Sequence, residues 1–348
     1  MLSRVANSLY WMSRYIERAE NIARIADVNL QLLLDFRNVD EARLARYWLP
    51  VIQTTGDEKQ FFELHGKAFG RTVTEFIVFQ PENPNSIYSS ICQARENARM
   101  VRDQITIEFW EELNRLYWFL KTPEARMVWK ESPTEFFQRV KNCSLQLIGL
   151  AHATLIRNEG WWFVQAGRYI ERADKTSRIL DLRSAGLPEN GAAVGVSETD
   201  VLEWSAILRS CSGWDAFRSQ FGAEVNPRLV AGFLLLNEDF PRSARFCVGE
   251  LNDALRRISG VAQGRFCNQA EKLAGRLAAE LQFSSIDDIF NQGLHRYLDQ
   301  FQARLNEIGA ALFDAYIFHS FAECELMVQQ EEQQQQRRRP DSAINSNS

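Results

Sequence analysis

Apolar residues recur every three or four positions along nearly the whole chain, which is the spacing of amphipathic α-helices. The chain contains nine prolines and 18 glycines, too few for a β protein rich in tight turns. The pattern therefore predicts an all-α protein. The predicted helices cover about residues 2–36, 39–49, 57–79, 86–120, 132–157, 161–183, 198–210, 227–236, 241–260, 265–282 and 285–330.

Capping residues mark the starts of two of these helices. Ser86 follows Pro84 and can accept a hydrogen bond from a free backbone N–H of the first turn. Ser132 precedes Pro133, which suits the first helical position, and Glu135 stands where a capping box places its acid. These residues predict helices that begin next to Ser86 and Ser132.

One charged segment occurs twice in the chain. The six letters of Arg14–Ala19 recur as Arg168–Ala173, and further matches follow at the same spacing. A second block, Phe76–Ser86, resembles Phe233–Ser243 in the same order and at nearly the same spacing. Two blocks that recur in order predict a duplicated helical unit.

The duplication leads to a predicted domain organisation. Residues 1–155 form a first helical repeat, and residues 156–328 form a second repeat that packs with the first as one pseudo-symmetric bundle. Residues 329–348 are a low-complexity tail rich in Gln and Arg, which is predicted to be disordered.

The repeated segment places charged residues on one stripe of each helix, opposite a broad apolar face. Two such helices that face each other would bring these charges into a confined space, where they must be paired or must hold a ligand. One interpretation is an internal ion-pair lattice, another is a cationic pocket for a carboxylate or phosphate, and a third uses Glu17 or Glu171 as an acid/base. The candidate binding residues are Arg14, Glu17, Arg18, Asn21, Arg168, Glu171 and Arg172.

Two further groups of residues extend the candidate binding site. Arg95, Glu96 and Arg99 share a helix, where they either form a solvated face or line the same central space. Arg242 and Ser243 begin a predicted helix, whose free backbone N–H groups can bind an anion or can simply be capped.

Composition and motifs narrow the classes of function. The net charge of −5 argues against a general nucleic-acid binder. No apolar run is long enough for a membrane span, and the first residues lack a signal-peptide pattern, so we expect a cytoplasmic protein. There is no phosphate loop, no dinucleotide fingerprint and no clustered metal-ligand motif, so we expect no cofactor and no metal.

Several motifs together resemble a known family. The chain is similar to the bacterial Alpha-E family, also called domain of unknown function 403, an all-helical domain with Glu-Arg motifs. The resemblance covers about residues 1–325. It rests on residues 3–6, 10–12, 14–21, 94–99, 167–174 and 240–243.

The resemblance implies a functional setting. Family members are commonly encoded beside, or fused to, a circularly permuted ATP-grasp protein and a transglutaminase-like peptidase. This context implies a role in ATP-dependent amide formation on a peptide or amino-acid substrate. Combined with the charged stripes, it leads us to expect a helical partner of an ATP-grasp-type amide ligase, whose central Arg/Glu cluster binds a carboxylate- or phosphate-bearing group. The alternatives are an independent enzyme of acyl transfer and a purely structural adaptor with an internal ion-pair lattice.

Overall fold

The computed structural model describes residues 1–35, 48–184 and 198–318. These stretches are mostly helical and contain no strand, which confirms the predicted all-α class. The helices of the first half are α1 (Ser3–Asp35), α2 (48–53), α3 (Glu58–Leu64), α4 (Gly70–Val78), α5 (Ile87–Met100), α6 (Ile107–Lys121), α7 (Pro123–Glu131) and α8 (Pro133–Thr154).

The second half continues in the same style and ends in a short π-helix. Its helices are α9 (Glu159–Asp181), α10 (Glu198–Ser210), α11 (Trp214–Phe221), α12 (Pro227–Leu236), α13 (Ala244–Ser259), α14 (Gln269–Phe283), α15 (Ile286–Asn291) and α16 (Leu294–Phe313), followed by the π-helix (Asp314–Phe318).

Four helices form the centre of the fold. Helices α1 and α9 pack against each other, α5 packs on α1, and α13 packs on α9. Helix α16 also packs on α9, and α8 packs on α1. Almost every residue of α9 is buried, so the charged residues of its repeated motif lie inside the protein. The two sequence blocks thus supply corresponding helices of this centre, while their origin by duplication stays a prediction.

Helices α1 and α9 approach closely at one glycine. A Cβ atom at Gly167 would lie 2.2 Å from the carbonyl oxygen of Tyr10, much closer than two such atoms can approach. The missing side chain lets the backbones of the two helices come together at this point. This close approach brings the charged stripes of α1 and α9 within hydrogen-bond distance.

The caps predicted at Ser86 and Ser132 are confirmed, but the capping box with Glu135 is not formed, since its carboxylate accepts from Arg139 at 3.1 Å. Ser86 accepts a hydrogen bond from the backbone N–H of Ser89 at 3.0 Å, and Ser132 accepts one from that of Glu135 at 3.3 Å. Pro133 occupies the first turn of α8, as its missing N–H favours.

Two of the long predicted helices are broken. The segment 57–79 forms two helices, α3 and α4, because the chain adopts an extended conformation at His65. The segment 86–120 forms α5 and α6, and Thr106 caps the second of these by accepting a hydrogen bond from the N–H of Phe109. In both cases a continuous hydrophobic period spans two helices.

Further differences concern the second half and the ends of predicted segments. The predicted helix 285–330 is interrupted at Gly293, which adopts a φ of 90°. Neither α7 nor α11 was predicted. Most of the predicted helix 39–49, most of the linker 184–197 and the whole tail lie outside the described residues. Among the described helices, none combines the length and the apolar character that a bilayer span requires.

Candidate functional site

The two Glu-Arg motifs bind each other across the contact between α1 and α9. Glu171 of α9 accepts hydrogen bonds from Arg14 Nε at 2.8 Å and from Arg18 Nε at 2.7 Å, both on α1. In return, Glu17 of α1 accepts from Arg172 Nε at 2.8 Å and from Arg172 Nη2 at 2.9 Å. The acid of each motif is therefore held by arginines of the other helix.

A third acid, Glu20, extends this network toward the start of α13. Arg242 donates to Glu17 at 3.1 Å through Nη1 and to Glu20 at 2.6 Å through Nη2. Glu20 also accepts from Arg24 Nε at 3.0 Å and from Ser144 Oγ at 2.9 Å. Sequence reasoning did not select Glu20, although an acid stands at the matching position of both repeats.

Two acids of the network, Glu171 and Glu20, are held in their charged form. Burial acts to raise the pKa of Glu171, but the charges of Arg18 and Arg14 outweigh it and keep that pKa below its usual range. Burial likewise opposes ionisation of Glu20, and Arg242 and Arg24 nevertheless lower its pKa to about 2. A general acid needs a raised pKa, so this arrangement disfavours acid/base chemistry at Glu171.

Glu17 is engaged on both of its oxygens. Arg172 donates to both, and Arg242 adds a further bond to one of them. Asn21 lies beside this group and accepts from Arg242 Nη1 at 3.3 Å. The lattice around Glu17 is closed within the protein, which is the arrangement that the structural interpretation of the sequence predicts.

Arg168 is buried and has no ion-pair partner among the described carboxylates. Its Nη1 lies 3.0 Å from His152 Nε2. Burial and the nearby charge of Arg172 lower the pKa of Arg168 to about 10. Burial and Arg168 also lower the pKa of His152, which favours the neutral imidazole that can accept this hydrogen bond.

The third predicted group lies apart from the centre. Arg95 and Arg99 both donate to Glu96, and Arg95 also donates to Asn114 of α6. Within the described chain these hydrogen bonds stay on α5 and α6, so the three residues lie outside the central network, with Arg99 exposed and Arg95 packed over the ring of Trp110. Ser243 caps α13 by accepting from the N–H of Phe246 at 3.0 Å, which favours the capping interpretation.

A cleft of about 340 Å³ opens beside the network, between α1, α9 and the end of α16. Arg14 reaches from the network to this cleft, and its guanidinium lies 4.6 Å from the ring centre of Trp11. Sequence reasoning missed the cleft, because its outer wall comes from α16, far along the chain. The polar residues that line it are Arg14, Asp174, Asn306 and Asp314.

Among the side chains that the structure describes, one group outside the network has the geometry to hold a metal ion. Potential ligand atoms of Asp181, His295 and Asp299 lie within 4.8 Å of one another. His295 Nδ1 lies 2.7 Å from Asp181 Oδ1, and this hydrogen bond raises the pKa of His295. This hydrogen bond, which joins α16 to α9, accounts for the group without a metal.

The comparison with protein families agrees with the geometry of the Glu-Arg pairs. The family model of Alpha-E, described as a predicted alpha-helical domain with a conserved ER motif, matches residues 1–317. The chain belongs to the Alpha-E family. In this Alpha-E protein the ER pairs are Glu17-Arg18 and Glu171-Arg172, and each binds the opposite helix.

Similar curated proteins extend beyond the Alpha-E region. Uncharacterised proteins of Mycobacterium bovis and Mycobacterium tuberculosis are 22% identical to this chain over 324 residues. The aligned part is 87% of this chain and 35% of each mycobacterial protein, so the chain spans about a third of the length of these relatives. No solved structure matches the chain.

Proposed function

We propose that this Alpha-E protein is a cytoplasmic, helical substrate-binding partner of an ATP-grasp-type amide ligase. The family resemblance implies a circularly permuted ATP-grasp protein and a transglutaminase-like peptidase as partners. The length of the mycobacterial relatives supports a role beside further polypeptide, because the part that aligns with this chain is only about a third of each of them.

The observation that carries the proposal is an excess of buried guanidinium over carboxylate. Each of the three central acids is shared between two arginines, so five arginines are paired with only three carboxylates and the group carries an excess of two positive charges. Buried charge is stable only when it is compensated, so such a centre favours a bound anion. The five arginines are Arg14, Arg18, Arg24, Arg172 and Arg242.

The geometry favours Arg14 as the residue that meets this anion. The inner arginines Arg172 and Arg242 are occupied by Glu17, Glu20 and the backbone oxygen of Pro241. Arg14 instead uses only Nε and Nη1 for hydrogen bonds within the described structure, and it lines the cleft. A guanidinium with a donor left over is well suited to clamp a carboxylate of a peptide or amino acid.

Reconstitution tests the proposal. The protein is combined with the ATP-grasp protein of the same organism, ATP and a panel of amino acids and peptides, and the ATP-dependent amide product is measured. We expect Arg14→Gln to lower product formation by about tenfold or more, because it removes the carboxylate clamp. The control is Arg99→Gln, which alters an equally charged but exposed residue of α5.

The opposite results have distinct meanings. If Arg14→Gln supports product at the wild-type rate, the charged centre serves the fold alone and the structural alternative holds. If product forms equally well without the helical protein, the partnership itself is wrong. Product made by the helical protein alone would favour the independent-enzyme alternative.

A further inference from the structure

The cleft beside Arg14 also presents two acids. Asp174 is buried and accepts hydrogen bonds from Arg178 Nε at 2.9 Å on both of its oxygens. Asp314 is exposed at the rim and forms no ion pair with any other residue that the structure describes. It is also the first residue of the π-helix, an irregularity that is frequent at functional sites. The cleft therefore joins one cationic and two anionic groups.

The remaining residues that line the cleft are largely apolar, and the cleft is small. Tyr10, Ile170 and Phe313 line it, and small residues of α16 form its floor. A Cβ atom at Gly309 would already lie 3.7 Å from Ile170, so even a small side chain there fills free space. The volume of about 340 Å³ stands at the lower end of ligand pockets, which favours one residue-sized ligand over an extended peptide.

We infer that the cleft binds a free α-amino acid with an apolar side chain. Arg14 holds its carboxylate, Asp314 together with Asp174 holds its ammonium group, and the apolar wall takes the side chain. The inference rests on the proposed function, because it names the substrate class of the same Arg14 site.

Charge balance distinguishes an amino acid from simpler ligands. A carboxylate without an amine would face the like charges of Asp174 and Asp314, and an amine without a carboxylate would face Arg14. A zwitterion pairs with both signs and adds no net charge to the partly buried cleft. The Nη2 group of Arg14, which has no acceptor in the described chain, completes a two-point clamp on the carboxylate.

Calorimetric titration of the full chain tests the inference with three probes. These are L-phenylalanine, N-acetyl-L-phenylalanine, which lacks the ammonium group, and L-phenylalaninamide, which lacks the carboxylate. We expect L-phenylalanine to bind about tenfold or more tightly than either derivative. We expect Asp314→Asn to lower the affinity for L-phenylalanine to that of the acetylated probe. Glu307→Gln, which removes an exposed acid of α16 that does not line the cleft, is the control.

The possible results separate the two proposals. Equal binding of L-phenylalanine and its acetylated form, unchanged by Asp314→Asn, overturns the amino-acid assignment and leaves carboxylate binding intact. If neither carboxylate-bearing probe binds, or if Arg14→Gln binds them as the wild type does, the proposed function itself is overturned. Ala310→Leu fills the cleft and should abolish binding of every probe, so undiminished binding by this variant would overturn the location.

Discussion

At the level of single residues, the buried carboxylates of the network are paired with a larger number of arginines. Glu17 is 1% exposed and accepts hydrogen bonds from both Arg172 and Arg242, which are themselves buried. The energy of such a group comes from several mutual contacts, so the loss of one member leaves the others as uncompensated buried charges.

Replacement of the Glu17 carboxylate should therefore destabilise the fold. Glu17→Gln keeps the size of the side chain but removes its charge, and we expect the free energy of unfolding to fall by about 3–5 kcal/mol. Urea denaturation followed by circular dichroism measures this loss, with Glu307→Gln as an exposed control. An unchanged or higher stability would show that these charges are maintained at a cost, as in a binding site.

The residues of the candidate site were predictable to different degrees. Helical spacing and the repeat were enough to place Arg18 and Arg172 on charged stripes of two central helices. The same spacing also selected Arg99, which lies on a solvated face, because periodicity defines a stripe and not what packs against it. Asp314 and the cleft depend on how α16 packs, and no local pattern contains that information.

At the level of helices, features that depend on neighbouring residues were predicted from the sequence, and features that depend on tertiary packing were not. Caps such as Ser86 and Ser132 act within one turn, so they were predicted from neighbouring residues. The breaks at Thr106 and Gly293 fall inside continuous apolar periods, so the apolar spacing alone did not predict them, although Thr106 caps a helix and Gly293 adopts a φ of 90°.

The contact between α1 and α9 depends on a residue without a side chain. We expect Gly167→Ala to lower the free energy of unfolding by about 1–3 kcal/mol or more, because the new methyl group would overlap the carbonyl oxygen of Tyr10 and push the helices apart. Thermal and urea unfolding measure the change.

A second helical glycine provides the matched control. Gly249 lies in α13 with no heavy atom near its potential Cβ position, so Gly249→Ala should stabilise the protein by up to about 1 kcal/mol through helix propensity alone. Similar effects of the two substitutions would contradict the close approach at Gly167.

At the level of the whole molecule, the sign of the charge at the centre differs from that of the chain as a whole. The chain carries a net charge of −5, yet its centre holds more guanidinium than carboxylate. Glu20 and Glu171 stabilise this centre only while they are ionised. The stability of the whole fold is therefore linked to the pH at which these carboxylates take up protons.

This linkage predicts a loss of stability in acid that depends on Glu20. Its pKa is lowered from 4.5 to about 2 in the folded protein, where Arg242 and Arg24 overcome the effect of burial. The unfolded chain therefore binds a proton at higher pH than the folded one, so the stabilisation is present above about pH 4.5 and declines toward pH 2. Urea midpoints measured from pH 6 to pH 3 should fall more steeply for the wild type than for Glu20→Gln, which is less stable at pH 6 but has lost this titrating group. Parallel curves for the two proteins would mean that the charge of Glu20 does not stabilise the folded state.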